Sequence, residues 1–216
     1  MTAFVIDNQR ISRQEFEHIC NSNCEVVLGN QAVETIEKGF LYLQSKINQV
    51  GKSYYGINTG FGSLCNTEIS NDDLNELQVN LVRSHACGMG AEVPESIVKR
   101  MLLLKVIALS KGYSGVHLET VNRLLFFYNH SILPIVYEQG SLGASGDLAP
   151  LAHLCLPLIG EGEVRINGEI ISGDSLSSRF SIPPLTLHAK EGLALLNGTQ
   201  FMAAYASFSV QQGFNL

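Results

Sequence analysis

At 216 residues, with 45% apolar and 16% charged residues, the chain is long enough to bury a sizeable core, as one large domain or a domain with a small lobe. Fourteen basic against twenty acidic residues leave a net charge of −6. No Lys/Arg cluster or RNA-reading aromatic motif accompanies them, which argues against a nucleic-acid partner and for a small molecule. The apolar excess predicts that further protein covers much of the surface, in an oligomer or through partner segments.

Ser12 and Glu15 form a capping box ahead of a short helix, and from Gln31 the residues Val33, Ile36, Phe40, Leu43, Ile47 and Val50 recur at helical spacing. "YYGINTGFGSL" at 54–64 is too rich in glycine and turn formers to continue a helix and reads as a loop. Ser70, Asp72 and Asp73 open the next helix, with Leu74, Leu77, Leu81 and His85 on one face and an end near Gly88 and Gly90. Pro94 opens a helix over 95–110 whose centre, "MLLLKVIAL", is apolar nearly all round and reads as a buried central helix. It is too short and too charged to span a bilayer, and the N-terminus lacks a basic stretch followed by an apolar one, so no membrane association and a cytoplasmic location are expected.

Beyond the break at Gly112 and Gly115, Leu118, Val121, Leu124, Leu125 and Tyr128 mark another helix. "VRINGEII" at 164–171 places two β-branched runs around Asn167-Gly168, the signal for one small β-hairpin. After Pro183 and Pro184, "HAKEGLALLNGTQFMAAYASF" is helical on both sides of a break at Asn197-Gly198. The class is mainly α. Five scattered cysteines, Cys20, Cys24, Cys65, Cys87 and Cys155, suit a reducing compartment rather than a disulfide framework. Cys20, Cys24 and His18 lack a second ligand pair, so no metal is expected.

The stretch "GSLGASGDLAPLAH" at 140–153 raises the question of chemistry. "GASGD" fails the nucleophile-elbow pattern at its fifth residue, Asp147, and "GFGS" at 60–63 lacks the lysine of a phosphate loop. Ser145 or Asp147 can cap a helix carrying Pro150 in its first turn, but a cap alone leaves Gly143 and Gly146 around Ala144-Ser145 unexplained. Small residues on both sides permit a turn in which the Gly146 nitrogen approaches the Ala144 carbonyl carbon. Addition and loss of water close a five-membered imidazolone, and loss of a second water from Ser145 leaves a conjugated methylidene, a strong electrophile.

Together with "YGINTGFGSL", "LLNGTQ" and the intervening "KGYSGV" at 111–116, this stretch resembles the histidine and phenylalanine ammonia-lyases, over nearly the whole chain. The resemblance implies the N-terminal part of the ammonia-lyase helical fold. It also implies a methylidene-imidazolone (MIO) cofactor made from Ala144, Ser145 and Gly146, with Asp147 supporting ring formation. Tyr55 matches the family tyrosine that takes the substrate's β-proton or assists at the MIO; on its own it would read as a packing aromatic. Ser84-His85 in "LVRSHACG" matches the histidine-specific pair, with His85 meeting the substrate imidazole; as a bare residue His85 would read as a satisfied core histidine. Asn197 matches the asparagine that contacts the ring and the substrate, a role compatible with ending a helix.

The implied reaction converts L-histidine to trans-urocanate and ammonia. Family members are longer homotetramers whose C-terminal helical bundle completes the site, so residues 1–216 are expected to be the MIO-forming region with little activity alone. Two alternatives stay open: a catalytically silent fold or interaction module that retains the signature, and an MIO lyase or aminomutase for another aromatic amino acid. Ser84-His85 argues against the second.

Overall fold

The computed structural model describes residues 3–22, 24–47, 54, 57–59, 69, 73–140 and 146–214. Helix α1 (Arg13–Asn21) begins with the expected capping box: Ser12 Oγ accepts the Glu15 amide and the Glu15 carboxylate accepts the Ser12 amide. Strand β1 (Phe4–Ile6) precedes it and pairs in parallel with β2 (Val26–Leu28). Helix α2 (Asn30–Ile47) follows the predicted periodicity as far as Ile47, and Val50 lies outside the described residues. Its Gly39 is fixed by close approach, because a Cβ there would stand 2.0 Å from the Gly112 carbonyl oxygen.

Helix α3 (Leu74–His85) stops before Gly88, and β3 (Met89–Glu92) takes the residues beyond it. Of the expected starters, Ser70 and Asp72 lie outside the described residues, and Asp73 stands at the N-terminal boundary. Helix α4 (Glu95–Leu109) starts after Pro94 and is the buried central helix, packed against α5 (Leu118–Asn129) and α9 (Gln200–Phe214). Met101, Leu102, Leu103 and Val106 are all sealed from solvent. Removing the greater part of one such leucine side chain costs about 2–5 kcal/mol. This apolar helix also buries Arg100 and Lys105, each of which must find acceptors inside the protein. Arg100 donates to Ser207 Oγ and to Gln211 Oε1 on α9.

The hairpin is present as β6 (Glu163–Ile166) and β7 (Glu169–Ser172), with Asn167 and Gly168 both at positive φ, 50° and 84°. It is accompanied by further short strands. β4 (Leu133–Pro134) adds to it as a third strand, and β3 pairs antiparallel with β5 (Tyr137–Gln139). Strands of two to four residues are too short to show an alternating pattern, so only the one with a turn signature was predictable. Helix α6 (Leu148–Cys155) continues into a 3-10 turn, Leu156–Ile159, and α7 (Ser175–Phe180) follows the hairpin. Helices α8 (Glu191–Leu196) and α9 stand on either side of the Asn197-Gly198 break.

Candidate active site

Helices α3, α6 and α8 pack on one another and bring three motif segments to one place. Leu81 of α3, Ala152 of α6 and Leu196 of α8 form a small buried cluster, joined by Ala86, Leu148 and Leu193. His85 closes α3 beside this cluster, Gly146 and Asp147 lead into α6, and Asn197 closes α8. The α3–α8 contact is close enough that a Cβ on Gly192 would stand 2.5 Å from the Gln78 carbonyl oxygen, and the buried Gln78 Oε1 accepts the Leu193 amide. Tyr55, Ala144 and Ser145 lie outside the described residues.

His85 Nδ1 is 2.9 Å from the Leu81 carbonyl oxygen and 3.2 Å from Ser84 Oγ. A carbonyl can only accept, so Nδ1 carries the proton, and in the neutral ring Nε2 keeps its lone pair. Ser84 Oγ donates to the same carbonyl at 3.0 Å. The pair thus locks the ring's tautomer at the helix end.

Asp147 is almost fully buried at the first boundary of α6, and its side chain makes no capping bond to that helix. Its Oδ2 instead accepts the amides of Phe201 and Met202, at 3.0 and 3.2 Å. These are unsatisfied donors of the first turn of α9, so Asp147 caps a helix that begins more than fifty residues later. Burial raises its carboxyl pKa, opposed by the two amides and by the charge of Lys105. Gly146 before it has φ +73°, and among the described residues nothing lies within 4 Å of where a Cβ would stand.

Asn197 is exposed, and its main chain ends α8 with its amide donating to the Leu193 carbonyl. Its carbonyl accepts from Lys105 Nζ at 3.2 Å, and so does that of Ala194, also at 3.2 Å. Burial lowers the Lys105 pKa to about 8, against the opposing influence of Cys155 and Asp147. Burial likewise pushes the Cys155 thiol up to about 12. Sequence reasoning missed Lys105; the one signal was a lysine inside an otherwise apolar nine-residue run.

Two more residues acquire partners that no local motif announced. His153 Nε2 accepts the Gly88 amide at 2.9 Å. The fully buried Glu191 accepts from the His117 amide (2.8 Å), Thr120 Oγ1 (2.7 Å) and the His188 amide (2.8 Å), tying α8 to the start of α5. "KGYSGV" forms the α4–α5 turn and lines a separate cavity of about 410 Å3 with Gly39, Tyr42, Leu43 and Lys190; His85, Asp147 and Asn197 do not line it. Among the described residues no helix is long and apolar enough to cross a membrane.

Residues 11–216 match the family model described as aromatic amino acid lyase. The histidine ammonia-lyase of Legionella pneumophila (strain Paris) is 48% identical over 203 residues, 94% of this chain and 40% of the relative. Among solved structures, the histidine ammonia-lyase of Trypanosoma cruzi superposes with a TM-score of 0.86 at 35% identity, covering 97% of this chain and 41% of that one. The tyrosine aminomutase of Streptomyces globisporus gives 0.89 at 30% identity, covering 99% and 40%. The chain thus spans about 40% of the length of the curated relatives it matches. A match running through nearly every residue, on a shared fold, decides the kinship: the chain belongs to the aromatic amino acid lyase family.

Proposed function

We propose that this chain carries the electrophile-forming part of a histidine ammonia-lyase, which takes L-histidine to trans-urocanate and ammonia. The observation that carries the reading is the convergence of His85, Asp147 and Asn197 on the cluster of Leu81, Ala152 and Leu196. The 48% identity to a histidine ammonia-lyase supports the substrate. Ala144, Ser145 and Gly146 are assigned to the MIO ring, which when formed supplies an electrophilic carbon that makes the substrate's amine a better leaving group. The positive φ of Gly146 suits a backbone that folds on itself, and Asp147 tethers the segment's far end to α9.

His85 then recognises the substrate. With Nδ1 committed to the Leu81 carbonyl, Nε2 accepts the N–H of the substrate imidazole, a contact a phenyl ring cannot offer. Asn197 presents an uncharged amide able to donate to developing negative charge. Tyr55 is assigned the β-proton, which requires its phenolate to be stabilised, since its ordinary pKa is near ~10. The remaining length of the relatives is assigned the rest of the pocket and the assembly. We read the exposed apolar residues of α9, Met202, Val210 and Phe214, as part of the surface it covers.

Intact-mass measurement with peptide mapping tests the cofactor. A deficit of two waters is expected in the peptide holding Ala144–Gly146 and is abolished in Ser145→Ala; full mass in folded protein overturns the assignment. In the complete gene product, absorbance of urocanate is expected with L-histidine and not with L-phenylalanine or L-tyrosine. Likeness to a tyrosine aminomutase keeps a second reading in view, and a β-amino acid product from tyrosine would establish that one instead.

A further inference from the structure

Helices α8 and α9 are joined by Asn197, Gly198 and Thr199, and the side chain of one of these, Asn197, belongs to the proposed site. Both helix ends at this turn expose unsatisfied main-chain groups. At the α8 end the carbonyls of Ala194 and Asn197 both accept from Lys105 Nζ, and at the α9 end the amides of Phe201 and Met202 both donate to Asp147 Oδ2. A cation sits at a helix C-terminus and an anion at a helix N-terminus, each opposite the end of the helix dipole it complements. Neither side chain comes from α8 or α9: Lys105 rises from the C-terminal third of α4, and Asp147 stands just ahead of α6.

We propose that Lys105 is a positioning residue, which with Asp147 clamps the α8–α9 turn from both ends and so fixes where Asn197 presents its amide. The role of Asn197 rests on the function proposed above; the clamp itself rests on the four bonds. Two features separate this from ordinary packing. First, Lys105 is 1% exposed, and burying an ammonium costs more than burying a hydrophobe of its size, as its lowered pKa of about 8 reflects. Second, both acceptors of its ammonium, the Ala194 and Asn197 carbonyls, lie at one end of the turn, while Asp147 accepts both amides at the other. The buried cation thus ties the end of α8 to α4, and Asp147, the residue that follows the ring-forming triplet, ties the start of α9 to the head of α6. A shift at either end of the turn would move Asn197 relative to Gly146.

The test compares wild type with Lys105→Met, which keeps the volume and removes the charge, and Lys105→Arg, which restores a donor. In this chain, hydrogen exchange of the Gly198–Met202 amides is expected to quicken about tenfold in Lys105→Met, the factor that corresponds to losing a hydrogen bond, while Leu102 and Leu103 on α4 keep their protection. In the complete gene product, kcat per ring formed is expected to fall about tenfold with KM little changed, and Lys105→Arg to recover most of the loss. Unchanged exchange at the turn together with unchanged kcat overturns the proposal. Should Lys105→Met not fold, Lys105→Gln, which keeps one donor, is read by the same two measurements. If wild type shows no two-water deficit, the proposed function fails, whereas the exchange measurement still decides the clamp.

Discussion

His153 ends the stretch at 140–153, and its Nε2 can accept the Gly88 amide only while the imidazole is neutral, with its proton on Nδ1. Burial holds its pKa below the ordinary 6.5. As pH falls through 6.5 the unfolded chain binds a proton that the native ring refuses, so the stability this histidine contributes is present above that pH and is lost below it. Urea unfolding is expected to show a lower midpoint at about pH 5.5 than at about pH 7, with a smaller difference in His153→Asn. An identical difference in the variant would place the acid sensitivity elsewhere. The sequence located His153 but offered no partner for it, because Gly88 is 65 residues away and obeys no local spacing rule. Asp147 repeats the lesson. Its place as an acid at a helix start was legible, but the helix it caps is α9 rather than α6. Lys105 was least legible of all, since inside an apolar run a lysine reads as an interruption until its two carbonyl acceptors are seen.

Elements were legible in proportion to their length. The 3.6-residue periodicity of α2 and α5, the Pro94 start of α4 and the Asn167-Gly168 turn all carry signals within a dozen residues, and each appears at its expected place. The angle between elements is set by contacts such as Glu191, which gathers the His117 and His188 amides and Thr120 Oγ1 at one buried carboxylate. That arrangement is specific to an acceptor on both oxygens. Glu191→Gln keeps the shape but turns an NH2 toward at least one of the donors, which costs about 1–3 kcal/mol. For a chain of this size the melting midpoint is expected to drop by about 2–4 °C per kcal/mol. Differential scanning calorimetry reads the change directly, and a midpoint equal to wild type would mean that the carboxylate does not hold α8 to α5.

At the scale of the molecule, α9 joins the core on one side only. It covers α4, yet Ala204 is its one fully buried residue, and Met202, Val210 and Phe214 stand 57%, 44% and 71% exposed. A 15-residue helix with so little polar character on its open face is unusual for a surface in contact with water alone. The positive mean hydropathy of the whole sequence already pointed to covered surface, but composition cannot say where. The structure locates much of it on α9, with a second group at Leu41, Tyr42 and Tyr113 beside the α4–α5 turn. Because the chain spans 40% of its relatives' length, the prediction concerns these residues on their own. Sedimentation velocity is expected to show concentration-dependent association, the outcome when apolar faces find one another for want of another partner. Phe214 already carries the Arg13 guanidinium 4.2 Å from its ring centroid, so the discriminating change is Met202→Lys with Val210→Lys, which adds charge through a residue that itself favours the helix. That pair is expected to shift the chain toward monomer with its helical circular dichroism unchanged. A wild-type chain that stays monomeric at high concentration would show that the exposed face of α9 is tolerated by water, and that its apolar residues are not an interaction surface.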